Sequence, residues 1–96
     1  MSKRDAYVKR MQAQLDEWNA EIDRLEARAK KADAQTKAEY EKRLEEVRAK
    51  RDDARARMAE FKKAGEDAFE ELRDGVEKSW AELKKSLTRA KDRMKS

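Results

Sequence analysis

Carboxylates and indoles are the residues of this chain best equipped for chemistry. Asp67, Glu70, Glu71 and Asp74 follow helical spacing, so several of their carboxylates share one face, and oxygen ligands so placed could hold a divalent cation. The same residues suit the first turns of a helix, where the macrodipole favours negative charge. With no histidine and no rigid loop beside them, the solvated helix start is the better reading. Trp18 and Trp80 could stack on a ligand. Both fall on a recurring apolar position, however, and that period favours anchoring a core.

The chain has no cysteine, which removes disulfides, a thiol nucleophile and thiolate metal sites. It has no histidine, the commonest general base and metal ligand. No Gly-rich phosphate loop, Ser–His–Asp set or metal motif is present. No catalytic, cofactor-binding or metal-ligating residue is assigned, no cofactor is expected, and an enzyme is the weakest reading.

Half of the 96 residues are Asp, Glu, Lys or Arg, and only 38% are apolar. Such a chain cannot wrap several layers around a core, so its burial must run along a narrow seam. The net charge of +4 is small beside 48 charged side chains, and the signs interleave without long blocks. Interleaved acids disfavour nucleic acid as a partner. The N-terminal segment is charged, and no stretch approaches the roughly 18 apolar residues of a membrane span, so a cytoplasmic location is expected.

The elements that must position these residues follow from one apolar stripe. It reads Val8, Met11, Leu15, Trp18, Ile22, Leu25, Ala29, Ala32 and Thr36, with steps averaging about 3.5 residues, the period of a left-handed supercoil. It continues through Tyr40, Leu44, Val47, Arg51, Ala54, Met58 and Phe61, then Gly65, Phe69, Leu72, Val76, Trp80, Leu83, Leu87, Ala90 and Met94. Beyond Phe61 the step widens to about 3.67. Alanines off the stripe and acid-to-base pairs such as Glu26–Lys30 and Glu46–Lys50 support helix throughout, each pair by about 0.2–0.5 kcal/mol.

Gly65 is the best break. The basic pair Lys62-Lys63 before it suits a helix end, and the acids after it suit a helix start. Acids crowd the stretch 66–77 and bases the stretch 78–96, which complements the macrodipole of a separate helix. A second break at Asp33–Thr36, where Thr36 and Glu39 have capping-box spacing, would give a three-helix, spectrin-like bundle. That segment lacks Gly, Pro and Asn, so one long helix over about 4–63 is preferred.

These readings give a single all-α domain over 1–96: a coiled-coil, antiparallel helical hairpin with helices over about 4–63 and 66–94. Its core is Tyr40, Leu44, Val47, Ala54, Met58 and Phe61 against Phe69, Leu72, Val76, Trp80, Leu83 and Leu87. Trp80 is expected to shelter Arg51 by stacking. The seam from Val8 to Ala32 then has no partner within the chain. A second copy is the natural cover, and a homodimer or tetramer is expected. Another helical protein is a further candidate for this seam.

Five segments carry a resemblance: Lys3-Arg4-Asp5-Ala6-Tyr7-Val8, Gln14-Leu15-Asp16-Glu17-Trp18-Asn19-Ala20-Glu21-Ile22-Asp23, Arg48-Ala49-Lys50-Arg51-Asp52-Asp53-Ala54-Arg55, Gly65-Glu66-Asp67-Ala68-Phe69-Glu70-Glu71-Leu72 and Gly75-Val76-Glu77-Lys78-Ser79-Trp80. Together they resemble a family of small bacterial coiled-coil proteins associated with stress response, over nearly the whole chain. The resemblance implies a bacterial, non-enzymatic protein and supplies no site residues. The leading expectation is a structural or protein-interaction module that self-associates through its apolar seam. The alternative is a peripheral membrane-surface protein acting through the amphipathic segment 66–96, with Lys84, Lys85, Arg89, Lys91, Arg93 and Lys95 toward its end.

Overall fold

Ala, Glu, Lys, Arg and Leu fill this chain, and helix is what they form. The computed structural model describes residues 3–94, which hold three α-helices: α1 (Lys3–Lys31), α2 (Ala34–Lys63) and α3 (Phe69–Arg93), the last entered through a 3-10 turn at Glu66–Ala68. No strand occurs among the described residues.

The expected single helix over 4–63 is instead two. α1 ends in a basic turn with Arg28, Lys30 and Lys31, and the Ala32 N–H donates to the Ala29 carbonyl at 3.2 Å. Asp33 then adopts extended backbone, and its carboxylate accepts the Thr36 N–H at 2.9 Å. The N-cap is therefore Asp33 and not Thr36. One cap suffices because folding back at this point covers the whole α1 stripe, and burial outweighs the helix-forming alanines around it. At the other turn α2 stops at Lys63, and Ala64 is extended. Gly65 has no positive φ, so the turn does not use glycine's left-handed freedom.

The three helices run up, down and up in a rod 51 × 19 × 18 Å. Cross-helix contacts fix the register. Phe61 lies beside Phe69, Asp53 beside Ser79 and Lys50 beside Glu82, so α2 and α3 are antiparallel. Glu26 pairs with Arg48, and Gln12 with Lys62, so α1 and α2 are antiparallel as well. α1 and α3 are consequently parallel.

The core draws on all three helices. Met11, Leu15, Ile22, Leu25 and Ala29 are buried from α1, with Val8, Trp18 and Ala32 half-buried. Leu44, Val47, Ala54, Met58 and Phe61 are buried from α2, and Val76, Trp80, Leu83 and Leu87 from α3. Tyr40, Phe69 and Leu72 pack half-buried against them. The seam for which a second chain was expected is thus occupied within the chain, because α1 folds back to lie on α2 and α3. Trp80 also differs from expectation. Its indole N–H donates to the Met11 carbonyl at 3.3 Å and ties α3 to α1, while the Arg51 guanidinium sits 3.3 Å from Asp52.

Two arginines close the ends of this rod. Arg4 donates to the Phe61 carbonyl at 3.2 Å and to that of Lys62, the last turn of α2. Arg28 donates to the Met94 carbonyl at 2.9 Å, where α3 ends. In each case a cation on α1 satisfies carbonyls that a helix C-terminus leaves without partners.

Candidate interaction surface

At the Arg4 end, Tyr7, Phe61 and Phe69 form a triangle with ring centroids 5.4–5.6 Å apart. The tilted and edge-on geometries are those that aromatic quadrupoles favour. Arg4, Arg10 and Arg73 each place a guanidinium over one of the rings, at 5.8, 5.3 and 5.7 Å from its centroid. Sequence reading placed Val8 on the stripe and missed Tyr7, one residue away and buried. Burial of the phenol, reinforced by the Glu77 carboxylate beside it, pushes the Tyr7 pKa up to about 12. Three buried or half-buried rings and their cations form a packed cap, with little ring face left to offer a ligand.

The open ground is between α1 and α3, which pack less extensively against each other than α2 and α3 do. A groove of about 470 Å³ lies there, with Glu17, Trp18, Glu21 and Arg24 along one wall and Lys84 and Lys91 along the other. Trp18 is half-buried, and the small side chains of Ala20 and Thr88 leave the space beside it. Three of the groove's charges meet: Glu21 Oε1 lies 3.1 Å from Arg24 and 3.6 Å from Lys91. An indole in a channel rimmed by both signs of charge is a surface suited to a protein partner.

The acidic residues singled out in the sequence do not converge. Asp67, Glu70, Glu71 and Asp74 are all exposed near the start of α3, and Glu70 pairs with Arg73 at 3.1 Å. Among the described residues no group of three or more potential ligands could hold a metal ion. The basic residues of α3 spread along its outer surface, where Arg89 lies 3.8 Å from Glu46. Lys95 lies outside the described residues. Among those described, no helix is long and apolar enough to cross a membrane.

Comparison with known proteins gives no match, whether to a family model, a curated protein or a solved structure.

Proposed function

We propose that this chain is a non-enzymatic protein-interaction module that associates with copies of itself, as a dimer or tetramer, through its outer surface. The observation that carries the reading is half-buried Trp18 in the open groove between α1 and α3, rimmed by Glu17, Arg24, Lys84 and Lys91. Large amphipathic rings among mixed charges suit protein contacts, since the ring contributes area and the rim contributes orientation. Glu21, the groove's central acid, is taken up by Arg24 and Lys91, which supports binding over catalysis. A stress-linked bacterial setting follows from the sequence resemblance as part of the same proposal, and a second helical protein is a further candidate partner for the surface. Light-scattering mass across a concentration series at low ionic strength tests it. The expected result is a mass that rises from monomer with concentration; a constant monomer mass overturns self-association.

A membrane-surface role is the second reading. It is favoured by the exposed Lys84, Lys85, Arg89, Lys91 and Arg93 on the second half of α3. Its cost is plain, because the apolar face of α3 already buries Val76, Trp80, Leu83 and Leu87 in the core. Insertion into lipid would require α3 to leave. Co-sedimentation of the intact protein with anionic vesicles, with Trp80 emission changed, would favour this reading; no co-sedimentation at low salt would remove it.

A further inference from the structure

We infer that the exposed face of α3 is a self-recognition surface, on which a second copy docks with its own α3 antiparallel to the first. This rests on the proposed function as a self-associating module and names the face that performs it.

Positions 70, 74, 77, 81, 84, 88 and 91 recur every three or four residues and therefore form one stripe along the helix. All seven side chains are exposed. Charge is segregated along the stripe: Glu70, Asp74 and Glu77 make an acidic half, Ala81 stands in the middle, and Lys84 and Lys91 make a basic half. Turning one such stripe about a point between residues 80 and 81 and laying it on another sets Glu77 opposite Lys84 and Glu70 opposite Lys91. Two-fold symmetry makes each pairing twice. A parallel arrangement would set acid on acid and base on base, so the charge order selects one orientation. Ala81 beside the axis offers only a methyl group, which lets the two helices reach the close end of the usual 8–10 Å separation.

The groove adds apolar area to this charge pattern. It borders the basic half of the stripe, since Lys84, Thr88 and Lys91 form its α3 wall. A partner α3 laid there covers Trp18 while its acids approach the lysines. The stripe from 70 to 91 spans about 31 Å at 1.5 Å per residue, well within the 51 Å length of the rod. The pairs Glu70–Arg73 and Lys91–Glu21 are partly exposed and give way at little cost, and Glu77, which also neighbours the Tyr7 phenol, is itself exposed.

The test uses two charge-reversed versions of the full chain, one carrying Lys84→Glu with Lys91→Glu and the other Glu70→Lys with Glu77→Lys, each checked for helix by circular dichroism. The unaltered protein is expected to dimerise at low ionic strength and to dissociate as the screening length falls from about 10 Å at 0.1 M salt to about 3 Å at 1 M. Each variant alone is expected to stay monomeric, and an equimolar mixture of the two to form a heterodimer. In a Trp80→Phe background, Trp18 emission is expected to shift to shorter wavelength on association. A dimer that persists in both variants, or that ignores salt, overturns this inference while leaving self-association standing. A monomer at every concentration overturns both. Variants that bind anionic vesicles according to their charge but never each other assign the basic half to lipid and overturn it too. If a reversal costs helix, Lys84→Gln with Lys91→Gln and Glu70→Gln with Glu77→Gln replace it. Affinity unchanged in both of those neutral variants would likewise overturn the inference.

Discussion

Tyr7 and Asp33 show how single groups couple this bundle to pH. The folded state holds the Tyr7 phenol neutral further up the scale than an unfolded chain would, about 12 against 10.0. Its contribution to stability is therefore intact below pH 10 and is lost as pH rises toward 12. Tyr7→Phe is expected to flatten that part of the stability curve relative to the parent, read as thermal midpoint against pH. Asp33 works in the opposite direction. The Thr36 N–H that its carboxylate accepts holds its pKa below the ordinary value of 3.8. The cap is fully present above that value and fades as the solution is acidified beneath it. Asp33→Asn is expected to keep the cap but lose this acid sensitivity, whereas Asp33→Ala is expected to lower the thermal midpoint at neutral pH. Equal midpoints for the two variants at neutral pH would show that the side-chain cap contributes nothing.

Among the helices, α3 carries a correctable weakness. Gly75 lies inside it, without positive φ, and a Cβ there would meet only Arg57 Nη1 at an ordinary 3.9 Å. Gly75→Ala is expected to stabilise the fold by about 0.8–1.0 kcal/mol, the usual helix-interior difference, seen as a higher urea midpoint with unchanged slope. The two turns differ in how far local sequence announces them. The turn at 64–65 is signalled by a glycine between a basic helix end and an acidic helix start. The turn at Ala32–Asp33 is signalled by one aspartate among alanines, and burial of a remote stripe decides it. For the same reason the side-chain partners of α1 could not be read from spacing. Met11 receives the Trp80 indole, and Trp18 meets the α3 side of a groove, only because α1 has returned to lie parallel to α3. Sequence periodicity places a residue on a face; the element that covers that face is chosen in three dimensions.

For the molecule as a whole, the seam of α1 belongs to the chain's own core, and that has a thermodynamic signature. Ile22 is fully buried. Ile22→Ala is expected to cost about 2–5 kcal/mol, through lost burial and the cavity left behind. Because the contacts are internal, that loss should be the same at every protein concentration. A loss that shrinks as protein is concentrated would instead place Ile22 between chains. The outer surface obeys other rules, since its charges are screened by salt and its apolar area is small. Stability and association should therefore separate cleanly when ionic strength is raised.

An odd number of helices has a mechanical meaning. α1 begins beside Phe61, where Arg4 meets α2, and α3 ends beside Arg28, where Met94 follows it, at the far end of the rod. Tension applied to the two ends of such a bundle acts along its axis and must slide α1 and α3 past α2 in shear. Trp80, bonded across to α1, and the two arginine latches lie across that sliding direction, so extension along the axis is expected to need more force than separation across it.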